Sequence, residues 1–268
     1  MPLHNPITDN TPNGWLIGPA SNLVLFVGNE RVVCSLTQRV LRTADILPGL
    51  FTIAGPQIIK QQPDVAEALA RMVQYSASDA AFAAEEIKNE FATILSHHAV
   101  ALWAGVETAL EQTILGLIKR VPDAHDLIIE HSPTLNAEKF KTKTANDAEK
   151  ALSIWEQAIK ANSFDRSVEM LRALKVNTNP TSEDRRALVE LSEVRNVLLH
   201  RGGFVDARFL GKCPWIKLKV GDQFKVDGGR LDTYFDAAGR FASDLIGATV
   251  KCPYIYKMPV GSSLEQGS

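Results

Sequence analysis

The sequence predicts a mainly α-helical bundle with one small β-hairpin before the last helix. From Asp64 onward, apolar residues recur every three or four positions, which is the spacing of amphipathic helices. One stretch, PWIKLKVGDQFKVDGG, instead alternates apolar and polar residues about Gly221 and Asp222, as the two strands of a hairpin do. No internal repeat is visible.

The first sixty residues carry no comparable pattern. Residues 1–20 are rich in Pro, Asn and Gly, and NLVLFV after them is consistent with a short strand. The next stretch, VVCSLTQRVLRTADIL, fits a strand or a helix. Two Pro–Gly pairs, Pro48–Gly49 and Gly55–Pro56, predict interruptions. We therefore divide the chain into an N-terminal segment of uncertain structure (1–60), a helical domain (61–250) and a tail (251–268).

Five amphipathic stretches make up the predicted helical domain. The longest is residues 84–120, where an apolar stripe runs until Pro122 ends the helix. The stripe consists of Ile87, Phe91, Leu95, Leu102, Val106, Leu110, Ile114 and Leu117. The four shorter helices are predicted at 147–161, 163–176, 182–201 and 231–250. Gly202 and Gly203 end the third of them, because glycine readily adopts the left-handed conformation that closes a helix.

Composition indicates an ordinary globular protein rather than a membrane or secreted one. Of 268 residues, 45% are hydrophobic and 22% charged, and no apolar run approaches the ~20 residues needed to span a bilayer. Three cysteines without CxxC spacing argue against a disulfide framework or a zinc site. Because the N-terminus lacks a basic and then apolar leader, we expect a cytoplasmic protein with no membrane partner.

The charge is uneven along the chain. Residues 139–230 hold 18 Lys and Arg against 12 Asp and Glu, whereas the remainder holds 11 against 19. A basic segment of this kind is compatible with an anionic partner such as a nucleic acid, and equally with a mixed solvated surface.

The most informative stretch is SEVRNVLLHRGGFVD at the end of the 182–201 helix. On a helical wheel its leucines and valines face the core, whereas Glu193, Asn196 and His200 fall within ~60° of one another on a different face. Arg195 lies at the margin of the apolar side, where its long side chain can reach outward. An arginine, an amide and an imidazole are therefore predicted to meet at one helix end.

These three residue types suit the cleavage of a phosphodiester. The guanidinium of Arg195 offers paired, permanently charged donors to a phosphate. Histidine transfers protons near neutral pH, so His200 can act as general acid or base, and Asn196 can orient the reacting groups. No metal or other cofactor is required when the nucleophile is the substrate's own ribose 2′-hydroxyl.

The same stretch resembles the signature of the HEPN superfamily, in which an arginine and a polar residue precede a histidine at a helix end. Arg195, Asn196 and His200 match it position by position, and the resemblance covers roughly residues 84–250. It implies a metal-independent endoribonuclease, often the toxin of a toxin–antitoxin or phage-defence system. It further implies RNA as substrate, a homodimer with a composite cleft, and an antitoxin protein as partner.

Three acidic residues are weaker candidates for the same site. Glu193 shares a face with His200 and could orient the imidazole, and Asp206 follows the two glycines. Glu107, on the flank of the long apolar stripe, could line the same cleft or form a surface ion pair. The His97–His98 pair suggests a metal site, but His98 falls on the apolar stripe and is better interpreted as a core residue.

Two other functions remain open from the sequence. In a non-catalytic HEPN interaction module, Arg195 would pair with Glu193, Asp206 or a partner chain, and His200 would cap the carbonyls of its own helix. In a nucleotide-binding or nucleotidyl-transfer protein, the same arginine and histidine would hold the phosphates of a mononucleotide.

Overall fold

The computed structural model, which describes residues 12–132, 134–144 and 147–255, confirms a mainly α-helical fold. A 3₁₀ turn at Pro63–Val65 joins the first two helices. The helices are α1 (Gly14–Gln61), α2 (Ala66–Lys88), α3 (Ala92–Arg120), α4 (Ala124–His131), α5 (Ala137–Thr144), α6 (Ala148–Ala158), α7 (Ser163–Ala173), α8 (Ser182–Arg201), α9 (Ala207–Lys212) and α10 (Gly228–Lys251). Within the described part of the chain, none of them is both long and apolar enough to cross a membrane.

The chain forms two compact units. The first contains the described residues up to Phe26, Ala104–Ser192 and those from Ala237 onward. The second contains Val27–Trp103 and Glu193–Asp236. The C-terminal turns of α8 and the segment after them therefore lie in the second unit, together with most of α1, all of α2 and the first half of α3.

In the first unit, large aromatic side chains form the core. Trp155 is fully buried and donates a hydrogen bond from Nε1 to Ser132 Oγ (2.9 Å). Phe164 and Phe241 pack edge to face, with ring centroids 5.1 Å apart. Asn162 caps α7, because its side chain accepts a hydrogen bond from the backbone N–H of Asp165.

The N-terminal segment differs from the sequence-based expectation, because residues from Gly14 to Gln61 form one helix, α1. The short strand at NLVLFV is not found, and the helix continues through Pro48 and Pro56. Buried or half-buried residues recur every seven positions along it, at 27, 34, 41, 48 and 55. This repeat packs one side of α1, and packing of that kind outweighs the unfavourable propensity of proline and glycine.

The helix α2 packs against α1 along the same repeat. Its residues Leu69, Ser76 and Ala83 are buried at seven-residue intervals. At Gly55 a Cβ atom would lie 3.4 Å from the side chain of Leu69, so the two helices approach closely at that point. Small residues at these positions allow the close approach, and α1 and α2 form a helical hairpin in the second unit.

The predicted helix at 84–120 is two helices, because the chain turns at residues 89–91. Glu90 and Phe91 have positive φ angles of 57° and 62°, and the N–H of Phe91 bonds to the carbonyl of Glu86 (2.6 Å). Phe91 is 7% exposed. Burial of this aromatic ring offsets the strain of a left-handed conformation in a residue other than glycine. Neither Gly nor Pro marks the break in the sequence.

The predicted β-hairpin is also wrong, although its turn exists. Gly221 has a φ of 92° and reverses the chain as expected. The residues after this turn pair, however, with the segment that follows α8 and not with residues 214–219. Val205 N–H bonds to Asp222 O (2.9 Å) and Phe224 N–H bonds to Gly203 O (2.8 Å). Among the described residues this pairing amounts to one antiparallel bridge, Phe204–Gln223, and no extended strand.

We expect Gly203→Ala to lower the free energy of unfolding by about 1–2 kcal/mol, because φ at this position is +87° and a Cβ is disfavoured there. Urea denaturation monitored by circular dichroism would measure the change. Gly211→Ala is the matched control, since Gly211 lies in α9 with open space around its Cα and alanine favours a helix. A Gly203→Ala variant as stable as this control would contradict the prediction.

Candidate active site at the end of α8

Helix α8 matches its predicted bounds and places the candidate residues at its C-terminal end. Leu188, Leu191 and Val194 are fully buried, as the helical wheel predicts. Gly202 and Gly203 both have positive φ angles, and the N–H of Gly203 bonds to the carbonyl of Val197 (3.1 Å). The chain then leaves the helix and is held by its pairing with residues 221–224. This pairing fixes the position of the segment that follows the last turn of α8.

One face of this last turn borders an open cleft of about 360 Å³. The residues that line it are Glu193, Asn196, Val197, His200, Arg201, Asp206, Arg208 and Phe209. His200 is exposed, Asn196 is half-buried, and no hydrogen bond to the His200 ring is present among the described residues. The imidazole is thus accessible to a solute in the cleft.

Arg195 adjoins the cleft through its neighbour. The half-buried guanidinium donates a hydrogen bond from Nη1 to Asn196 Oδ1 (3.1 Å). With its oxygen engaged by the arginine, the Asn196 amide presents its NH₂ group as a donor. The structure therefore brings Arg195, Asn196 and His200 to the same helix end, with Arg195 and Asn196 linked directly.

The two nearby carboxylates are each paired with a cation. Glu193 is 3% exposed and its Oε1 lies 2.5 Å from Lys212 Nζ. Asp206 caps α9 by accepting the backbone N–H of Phe209 (2.8 Å), and its other oxygen lies 3.3 Å from Arg201 Nη2. Both side chains thus hold the walls of the cleft in place, and their predicted role in orienting His200 remains a prediction.

Glu107 lies on α3 in the first unit, where it is half-buried. Its charge acts there on Glu156. Burial raises the pKa of Glu156 above its ordinary value, Arg166 opposes that rise, and the negative charges of Glu111 and Glu107 add to it. Glu107 is thus part of an acidic cluster in the first unit.

Sequence reasoning missed two cationic residues of the cleft, Arg201 and Arg208. Arg201 follows His200 directly and is exposed, with Asp206 as its ion-pair partner. Arg208 is exposed on α9, and no ion pair involving it is found in the described ranges. The only sequence feature that points to them is the basic balance of residues 139–230, because the return of α9 to the cleft is a long-range effect.

A second cavity of about 490 Å³ borders other residues of the same turn. Leu198, Leu199 and Phe224 form its apolar part. His97, Gln223 and Lys225 contribute polar groups to it, and His97 is exposed. The end of α8 therefore contributes to two openings in the second unit, one lined mainly by charged groups and one mixed.

The described residues contain no group of three or more His, Cys, Asp or Glu side chains placed to hold a metal ion. His98, one of the two adjacent histidines, is 8% exposed, and its Nδ1 lies 2.7 Å from Glu30 Oε1. This arrangement agrees with the interpretation of His98 as a core residue whose polar ring is satisfied internally.

Comparison of the chain with models of protein families, with curated proteins and with solved structures gave no match.

We expect Lys212→Met to lower the free energy of unfolding by about 2 kcal/mol, because it leaves the buried Glu193 carboxylate without its cation. Lys217→Met, at an exposed position, is the control and should change stability by less than ~0.5 kcal/mol. The double variant Glu193→Gln/Lys212→Met should recover part of the loss. Equal stability of the two single variants would show that the pair does not hold the cleft wall.

The raised pKa of Glu156 predicts a pH-dependent effect on stability. A carboxyl with a folded-state pKa above its unfolded value stabilises the fold when protonated, and this contribution is lost as the pH rises through the folded-state pKa. Glu156→Gln should therefore raise the free energy of unfolding at neutral pH and leave it nearly unchanged at about pH 4. Urea denaturation at the two pH values would measure the free energy of unfolding. A Glu156→Gln variant that is less stable than the wild type at neutral pH would contradict the prediction.

Proposed function

We propose that this protein is a metal-independent endoribonuclease that uses the ribose 2′-hydroxyl of its RNA substrate as the nucleophile. One observation supports this proposal above the others. An accessible histidine, an asparagine and two arginines line a single cleft, and a third arginine is bonded to the asparagine. These are the groups that the cleavage of a phosphodiester requires when the substrate supplies the nucleophile.

In the proposed reaction, the imidazole of His200 takes the proton of the 2′-hydroxyl. The 2′-oxygen then forms a bond to phosphorus while the bond from phosphorus to the 5′-oxygen breaks. A proton passes to that 5′-oxygen, either from the same imidazole or from His200 of a second protomer. The products are a 2′,3′-cyclic phosphate and a free 5′-hydroxyl, so no water and no oxidant is consumed.

In the proposal, the arginines at the cleft stabilise the negative charge that develops on the phosphate during the reaction. Negative charge builds up on the non-bridging phosphoryl oxygens in the transition state, and preorganised donors stabilise it. In the proposal Arg195 and the Asn196 amide contact these oxygens, while Arg201 and Arg208 bind the neighbouring phosphates. Arginine is suited to both tasks because its planar donors match the geometry of a phosphate.

The proposal includes the partners that the HEPN resemblance implies. These are a second copy of the chain, whose α8 would complete a composite cleft, and an antitoxin protein that covers the site. A cytoplasmic location follows from an RNA substrate in the cell interior. The second copy, the antitoxin and the cytoplasmic location are all proposals.

The central experiment is incubation of a labelled, mixed-sequence RNA with the purified chain in excess EDTA. We expect cleavage to products with 2′,3′-cyclic phosphate ends, and no cleavage of the same sequence made as DNA. His200→Ala should abolish activity, and Arg195→Ala should reduce the rate by about 10²-fold or more, the usual cost of losing one donor to the developing charge. His131→Ala, an exposed histidine of the first unit that pairs with Glu169, is the control.

The result that contradicts the proposal is cleavage that survives in His200→Ala, which would indicate a contaminating nuclease. Absence of cleavage from pH 5 to 9 by protein free of any bound partner would also contradict it. In that case the non-catalytic interaction module becomes the better interpretation, and a stable complex with another protein would be the observation in its favour.

A further inference from the structure

The outer face of α1 carries apolar side chains that the fold leaves exposed. Along Val27–Gln61, residues on the side opposite the packed seven-residue repeat form a regular series at alternating intervals of four and three. We name this series the outer stripe. It consists of Val32, Leu36, Arg39, Thr43, Ile46, Leu50 and Ile53. Its five apolar members are between 47% and 78% exposed, and Arg39 and Thr43 are exposed as well.

An alternation of four and three is the pattern of a coiled-coil seam. Apolar residues repeating on average every 3.5 positions place one side chain after another along the line where a second helix packs. A helix that only covers its own domain needs one such face, and α1 already has it in the repeat at 27, 34, 41, 48 and 55. A second seam on the solvent side indicates a second helix that packs there.

We infer that the outer stripe is the interface of a homodimer, in which α1 of one copy packs antiparallel against α1 of another. The order of residue types supports this arrangement, because it reads nearly the same in both directions. With the two-fold axis close to Thr43, Val32 meets Ile53 of the second copy and Leu36 meets Leu50 of the second copy. One surface then serves both chains, as a two-fold interface requires.

The polar residues of the stripe favour the antiparallel orientation over the parallel one. A parallel, in-register pair would place Arg39 against Arg39 of the second copy, and like charges at a seam repel. In the antiparallel pair Arg39 lies opposite Ile46 of the second copy, and the two guanidinium groups are kept apart. Within the described chain the Arg39 guanidinium hydrogen-bonds to the carbonyl and the hydroxyl of Ser35 in its own helix.

Thr43 at the centre tolerates burial. Its hydroxyl donates a hydrogen bond to the carbonyl of Arg39 within α1 (3.0 Å), so it would remain satisfied in a dry interface. The hydroxyl groups of Thr37 and Thr52 are bonded to their own helix in the same way. No buried hydroxyl of α1 would therefore need a new partner on association.

The exposed area matches what a dimer requires. Together with Val33 and Val40, which flank it, the stripe presents on the order of 700 Å² of apolar side-chain surface, near the ~800 Å² that one partner contributes to a specific interface. In such a dimer each α1 lies between its own α2 and α1 of the second copy, so that both of its apolar faces are packed.

The test is the mass of the full chain by sedimentation equilibrium at micromolar concentration. We expect twice the mass of one chain for the wild type. Leu50→Glu should weaken association by at least about 30-fold, as the loss of a central apolar anchor does. Val220→Glu is the matched control, because Val220 is 64% exposed on a loop of the same unit, and it should leave the mass unchanged.

An introduced charge pair distinguishes this interface from any other. Leu36→Lys and Leu50→Glu should each weaken the dimer, whereas the double variant Leu36→Lys/Leu50→Glu should recover part of the association, because Leu36 meets Leu50 of the second copy; circular dichroism would show that all three are folded. A monomeric wild type, or a dimer that Leu50→Glu leaves intact, overturns the inference. Because Leu50 lies on α1 and not on α8, a loss of mass in Leu50→Glu is separable from the α8 association that the ribonuclease proposal includes.

Discussion

The candidate site depends on one backbone feature, the left-handed turn at Gly202 and Gly203. It stops α8 one residue after His200 and sends the chain back against residues 221–224, where the hydrogen bonds from Val205 and Phe224 hold it. That pairing places Asp206 at the start of α9, and α9 in turn brings Arg208 to the cleft and Lys212 to Glu193. Without a residue that accepts a positive φ, α8 would continue and the cleft would lose one wall.

The same helix has two roles that compete for its surface. Leu188, Leu191 and Val194 bury one side of α8 completely, whereas Asn196 and His200 on the other side stay open to solvent. Glu193 lies between the buried and the exposed side of α8. Its carboxylate is almost fully buried and is neutralised by Lys212. A charge pair at this depth contributes little net stability but is costly to break, so it holds α9 close to α8.

The α1–α2 hairpin follows a different principle from the rest of the described chain. Its buried positions recur at seven-residue intervals and include Gly55, Ser76 and Ala83, whose small side chains bury little apolar area. Most of its large apolar side chains point to solvent. The outer stripe of α1 is therefore exposed in a single copy of the chain, and it lies outside the region that resembles HEPN nucleases.

Helix α8 could be predicted from local sequence features, whereas the break between α2 and α3 could not. The apolar period and the two terminal glycines are local features, and they located α8 from 182 to 201 as the structure has it. They also grouped Asn196 and His200 on one helix face. The break at residues 89–91 has no such local signal, because Glu90 and Phe91 adopt left-handed conformations only when Phe91 is buried by tertiary packing.

The sequence by itself determined the helical class, the end of α8, and the meeting of Arg195, Asn196 and His200 near that end, because each follows from periodicity and glycine geometry within a few residues. Only the tertiary structure decided that residues 221–224 pair with the segment after α8, and that α1 runs unbroken through three prolines. It also decided that Arg208 joins the cleft. Those outcomes depend on contacts between residues far apart in the chain, where the packing energy exceeds local conformational preference.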